Sequence, residues 1–149
     1  MATQDNIVIK PIGVVRNDIK EPLKHGWRKV ISELILEPNL EEALEGLEQF
    51  SHIIVVFWMH KVPLEKGIPF KIHPQGRQEL PLTGLFATRA PYRPNPVGVS
   101  VVKLLECQGN VLKVKGLDAL DGTPVIDIKP YLSGDGIADA RFPPWVARL

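Results

Sequence analysis

The chain has one cysteine, Cys107, in 149 residues. An intramolecular disulfide is therefore impossible, and a thiolate metal cluster is excluded. That usage fits a reducing, cytoplasmic setting. A thiol nucleophile would need Cys107 beside a histidine, and packing as a small hydrophobe or near a turn is the plainer reading. Long apolar runs are missing too. The longest, residues 53–59, falls far short of the roughly 20 residues that a membrane-spanning helix needs. Residues 1–6 are short and polar, unlike a secretion signal. No metal site is expected: His52 and His60 would share a strand face ~26 Å apart, at about 3.3 Å per residue. There is no P-loop, no Gly-x-Ser-x-Gly, and no Gly-x-Gly-x-x-Gly following a strand.

A large charge excess is also absent, since the net charge is +1. Its distribution is uneven. Residues 61–103 hold seven Lys/Arg against two Asp/Glu, while residues 1–60 hold six against nine. A local basic stretch can meet a phosphate backbone on a near-neutral protein, although charge runs are often only solvated surface.

Periodicity predicts short strands. Residues 7–16, 29–36, 51–60, 84–88, 97–105 and 111–115 read as strands, with a further short extended run inside residues 118–131. The apolar centre of residues 51–60 suggests a strand covered on both faces. One short helix is expected after Asn39 as N-cap, with Leu40, Leu44 and Leu47 on one face and Gly46 near its end. Residues 61–80 read as loop, Gly109-Asn110 as a turn and residues 130–149 as an irregular tail. These features predict a mainly β fold: a closed or partly open β-barrel with one short helix and an irregular C-terminal tail, in a single domain over residues 1–149.

The richest segment is Gly84-Leu85-Phe86-Ala87-Thr88-Arg89-Ala90-Pro91-Tyr92-Arg93-Pro94-Asn95-Pro96-Val97-Gly98. Three prolines in six residues fix their own φ and push Ala90, Arg93 and Asn95 toward extended geometry. A loop this stiff suits preorganised display of the Arg89 and Arg93 guanidinium groups, or is a stiffened barrel corner with two solvated arginines. A second segment, residues 117–131, reads Leu-Asp-Ala-Leu-Asp-Gly-Thr-Pro-Val-Ile-Asp-Ile-Lys-Pro-Tyr. Its Asp121-Gly122 is first a turn signal, and Asp127 beside Lys129 could form a structural ion pair.

With Phe50-Ser51-His52-Ile53, these two segments resemble the TsaA-like (YaeB/TrmO) family, whose pattern runs close to G-V-F-A-T-R-S-x-x-R-P-N-P-I-G followed by L-D-x-x-D-G-T-P-V-x-D-I-K-P-Y. The resemblance spans residues 9–132. It implies a β-barrel S-adenosylmethionine-dependent tRNA methyltransferase, acting on N6 of threonylcarbamoyl-adenosine beside the anticodon. It also implies a homodimer paired through the barrels.

For the cofactor, the resemblance singles out Arg89, whose fork suits a methionine carboxylate, together with Met59, His60, Val99, Lys115, Gly116, Leu117 and Asp118. His60 would otherwise read as a satisfied core histidine. The early loop Pro22-Leu23-Lys24-His25-Gly26 stands where many members carry Pro-Arg-Gln-x-Gly. Lys24 either replaces the missing cation or belongs to a different loop, which leaves Lys24, His25 and Gly26 open as cofactor positions. Tyr92, Arg93 and Asn95 are candidates for the tRNA side, by stacking and phosphate contact. Asp118 and Asp121 are candidates for a proton acceptor.

The additional C-terminal domain of many bacterial members is not expected here. The basic stretch, or a dimer presenting two such faces, would then hold the tRNA. Methylation of a small molecule, or cofactor sensing without catalysis, uses the same donor pocket and stays open.

Overall fold

A computed structural model describes residues 5–149; most of the polar start, residues 1–4, lies outside them. Eight strands follow one another: β1 Gly13–Arg16, β2 Ile31–Leu36, β3 His52–Trp58, β4 Lys71–Ile72, β5 Thr83–Gly84, β6 Val97–Gln108, β7 Val111–Lys115 and β8 Pro124–Pro130. Two compact units result. A barrel unit comprises Met1–Trp58 and Gly98–Tyr131, and a loop unit comprises Met59–Val97 and Leu132–Leu149.

The barrel unit is a closed sheet in the order β1-β2-β7-β6-β3-β8. Alternation builds its interior: on β2, Ser32, Leu34 and Leu36 point inward, and on β3, Ile53, Val55 and Phe57 do. Val15, Val102, Leu112, Val114, Leu117 and Val125 complete the core. Each such side chain, removed from water, stabilises the fold by ~1.5–3 kcal/mol. The other face of β3 (Ile54, Val56, Trp58) is half-buried, so the strand alternates rather than being covered equally on both sides.

Four local expectations are corrected. Residues 7–12 are not strand, because the ladders to β2 and β8 begin at Gly13 and Pro11 has no N–H to donate. Residues 29 and 30 precede β2, with Trp27–Lys29 forming a 3₁₀ turn. The short helix is the 3₁₀ helix Pro38–Leu44, capped at Glu37 rather than at Asn39. Seven residues are too few for cooperative α-helix, and Gly46 at φ 88 turns the chain away. Only Gly84 of residues 84–88 is strand; Leu85–Ala87 is another 3₁₀ turn. The Gly109-Asn110 hairpin is present, and Asn110 Nδ2 fastens it to β2 through the Leu36 carbonyl at 2.6 Å.

The loop unit has little regular structure. The β4–β5 ribbon continues into the proline-rich loop, where Met59 N–H bonds the Pro96 carbonyl at 2.8 Å. The tail, with its 3₁₀ helix Pro144–Arg148, is held where Arg77 Nη1 donates to the Arg148 carbonyl.

On β6, Gly98 packs closely inside the barrel unit. A Cβ there would lie 2.4 Å from the ring of Phe57, itself buried. Gly98→Ala should therefore cost ~1–3 kcal/mol by overpacking, or several degrees in Tm at roughly 2–4 °C per kcal/mol. Thermal denaturation measures this, and Phe57→Leu in the same chain should recover part of the loss.

Candidate cofactor and nucleic-acid site

In the barrel unit, one asparagine ties together two loops that carry sequence-predicted positions. Asn17 Nδ2 donates to the buried Ser32 hydroxyl and to the Ala119 carbonyl, both at 2.9 Å. Its Oδ1 accepts from Ile19 N–H at 2.9 Å, and its own N–H donates to Asp121 Oδ1 at 3.0 Å. Asp121 N–H returns to the Ile19 carbonyl at 2.8 Å, and Lys20 meets Asp121 Oδ2. The segment entering Lys24, His25 and Gly26 is thus locked to the segment following Asp118. Asp121 braces this junction with both oxygens, and Gly122 at φ 82 makes the expected turn.

Lys24 and His25 are exposed, and their side chains make no hydrogen bond or ion pair among the described residues. Gly26 has φ 93 and accepts from Lys29 N–H at 3.1 Å, which ends this loop in a tight turn. Lys115 is exposed at the end of β7, opposite Ile31 and Lys103. Gly116 leaves the sheet at φ 98, a conformation that any side chain would strain, with its N–H on the Val30 carbonyl. Leu117 is fully buried and anchors the turn, so Asp118 emerges exposed beside it. The Ser100 hydroxyl donates to Asp118 Oδ1, and neighbouring Val99 is 57 % exposed.

In the loop unit, the two arginines have separate fates. Arg93 Nη1 donates to the Thr88 carbonyl at 2.9 Å and to the Ala90 carbonyl at 3.1 Å, with its guanidinium 5.6 Å from the centre of the Phe86 ring. It is built into the loop. Arg89 is exposed, and its side chain has no partner among the described residues. Tyr92 is 38 % exposed and Asn95 is exposed, so both can reach a ligand. Met59 is half-buried at the end of the β3 segment. His60 is exposed, and partial burial followed by the Lys61 charge lowers its pKa, which favours the neutral imidazole. Lys61, Lys66 and Lys71 are exposed without carboxylate partners among the described residues, whereas Arg77 pairs with Glu79 at 2.6 Å.

Sequence reasoning missed Asn17, Ser32 and Ser100. Ser32 left one signal, a hydroxyl at an inward position of an otherwise apolar alternation. The barrel unit also has two open grooves. One is polar, about 660 Å³, lined by Arg16, Glu33 and Lys113 among others; the other is apolar, about 610 Å³, lined by Leu40, Leu44 and Ile128 among others. Neither is lined by a residue that the motifs single out as a ligand. Asp127 and Lys129 form the expected ion pair at 2.9 Å, which raises the lysine pKa. Among the described residues no cluster of His, Cys, Asp or Glu could hold a metal, and no helix is long and apolar enough to cross a membrane.

Residues 18–135 match the family model of the tRNA-methyltransferase O N-terminal domain. The chain is 47 % identical over 129 residues to a "Probable S-adenosyl-L-methionine-binding protein" of Methanothermobacter thermautotrophicus, with 84 % of this chain and 90 % of that protein covered. It is 42 % identical over 129 residues to an S-adenosyl-L-methionine-binding protein of Archaeoglobus fulgidus, covering 84 % and 89 %. Its fold is similar to the crystal structure of TrmO from Pseudomonas aeruginosa, with TM-score 0.74 and 36 % identity. That match covers 92 % of this chain, which spans 62 % of the length of the solved one.

Two measurements check this geometry. Asn17→Ala leaves the Ser32 hydroxyl and a backbone carbonyl without their donor, and should cost ~1–3 kcal/mol in chemical denaturation. By NMR, His60 should titrate below the ordinary histidine value of about 6.5, and Lys61→Ala should move its midpoint up. Because the folded pKa is lowered, His60 holds stability above the ordinary histidine range and loses it as pH falls below that range.

Proposed function

This chain belongs to the tRNA-methyltransferase O N-terminal domain family, and from that membership we infer that it is an S-adenosylmethionine-dependent methyltransferase of tRNA. The acceptor in this reading is N6 of threonylcarbamoyl-adenosine next to the anticodon. The observation that carries it is the Arg89 guanidinium, unpaired and presented from a rigid loop.

S-adenosylmethionine would supply an already activated methyl group, so the protein's task is chiefly to hold, orient and exclude water. The resemblance assigns parts of the cofactor to residues one by one. Arg89 suits the amino-acid carboxylate by a forked, charge-assisted contact. The Lys115–Asp118 segment and Val99 suit the adenosine; Gly116 at φ 98 turns the chain out of the sheet while its N–H stays on the Val30 carbonyl. Neutral His60 can donate or accept at one ring nitrogen. Lys24 and His25, exposed and unpaired, complete the family-derived set.

The acceptor nitrogen belongs to a urea and must lose a proton. We assign that proton to Asp118, exposed with Ser100 on one oxygen, rather than to Asp121, which braces the Asn17 loop. Lys61, Lys66 and Lys71 give the loop unit a positive surface for phosphate, and Tyr92 and Asn95 offer stacking and polar contact to a splayed base. The same reading includes a homodimer. The exposed outer face of β6, with Val99, Val101 and Leu105, is an apolar surface for a second barrel.

The test is transfer of labelled methyl from S-adenosylmethionine to tRNA with and without the threonylcarbamoyl group. Label should appear on modified tRNA alone, and Asp118→Asn should lower turnover without weakening cofactor binding. Arg89→Ala should weaken cofactor binding ~10–100-fold, the value of one charge-assisted contact. Cofactor binding with no label on either tRNA would move the acceptor to a small molecule or leave a sensor.

A further inference from the structure

We propose that Arg93 is a positioning residue that fixes the direction of Arg89, and not a phosphate contact. The proposal rests on the reading of Arg89 as the cofactor carboxylate ligand.

The two carbonyls that Arg93 Nη1 takes up belong to Thr88 and Ala90, the residues on either side of Arg89. Each bond orients a peptide group, so together they fix the backbone from which the Arg89 side chain departs. Other bonds tighten the same three residues. Thr88 Oγ1 donates to the Leu85 carbonyl at 2.7 Å and accepts from Ala90 N–H at 3.2 Å, and Thr88 N–H bonds the Leu85 carbonyl at 3.1 Å. Pro91, Pro94 and Pro96 remove backbone freedom on the far side. Within this locked segment, Arg89 is the side chain left exposed and unpaired. A loop ordered beforehand lowers the entropy cost of binding.

The clamp suits arginine. A planar guanidinium can bridge two carbonyls through one nitrogen while its face lies toward an aromatic ring. Lysine keeps the charge and has N–H groups for two carbonyls, but it is shorter and lacks the flat face that lies toward Phe86. Arg93 is also half-buried, with the Phe86 ring near its guanidinium, which disfavours its use as a surface phosphate contact. Charge and shape therefore make opposite demands at this position, and a single substitution separates them.

The experiment measures three quantities in the full chain: S-adenosylmethionine affinity by calorimetry, the slope of log affinity for tRNA against log salt, and Tm. The variants are Arg93→Lys, Arg93→Ala, Phe86→Leu, Arg89→Ala and the Arg89→Ala/Arg93→Ala double. Arg93→Lys and Arg93→Ala should each weaken cofactor binding about tenfold, with the salt slope unchanged. Phe86→Leu alters no charge and should weaken it less, which keeps the test intact if Arg93→Ala folds poorly. The double variant should bind no more weakly than Arg89→Ala alone, because Arg93 acts through Arg89.

Cofactor losses that add in the double variant would overturn the proposal. So would an Arg93→Lys protein that behaves as the parent while Arg93→Ala lowers the salt slope by roughly 0.7–0.9, the mark of one lost phosphate contact. Arg89→Ala with unchanged cofactor affinity would overturn the reading of Arg89 and this proposal together. That outcome is distinguishable, since additivity leaves the reading of Arg89 standing.

Discussion

Closure of the barrel runs through a strand of four residues. β1 pairs with β2 along its whole length and with β8 at Gly13 and Val14. Its far end is held by Val15 N–H on the Thr123 carbonyl and Gly122 N–H on the Val15 carbonyl. A closed sheet has no free edge, so this short strand satisfies polar groups on both neighbours that would otherwise template aggregation. Gly13 makes this possible where the chains crowd: a Cβ there would sit 2.5 Å from the Ile35 carbonyl oxygen. The chain leaves β1 directly into Asn17, so strand closure and the positions of the 17–21 and 118–121 loops depend on one short run.

Hydrogen bonds, more than ion pairs, set the functional loops. The Arg16–Glu33 and Asp127–Lys129 pairs are exposed and contribute little. The Asn17 junction and the Arg93 clamp act differently, because each satisfies carbonyls that lie partly out of water. The loop unit thereby uses one arginine on its own backbone, and Arg89 and three lysines have no partners among the described residues.

Much of the barrel was legible beforehand because side-chain alternation has a period of two and each inward residue declares itself. β7 was bounded correctly, and β2, β3 and β6 were located with errors only at their ends. Residues 7–12 and 84–88 were overextended for one reason. β-branched or apolar character marks a candidate strand, but a strand exists only where neighbours pair with it along a ladder; of residues 7–12 only Ile12 makes such bonds, to Val125 and Glu37. The expected single helix is divided: Leu40 and Leu44 fall in the 3₁₀ helix Pro38–Leu44, whereas Leu47 lies beyond Gly46 in a separate 3₁₀ turn. At the candidate site, Arg89 and Gly116 are singled out by motif alone. Asn17 and Ser100 were invisible because their partners lie 104 and 18 residues away.

By itself, the sequence determined the composition of the strands, the stiffness of the 84–98 loop and the family, because these follow from local preference and from motif spelling. Only the tertiary structure decided which arginine is free. Arg89 and Arg93 carry the same charge four residues apart, in the same loop. Their difference arises in the three-dimensional turn of the loop itself, which brings the Thr88 and Ala90 carbonyls and the Phe86 ring to Arg93 and leaves Arg89 exposed, a geometry that residue preferences alone do not spell out.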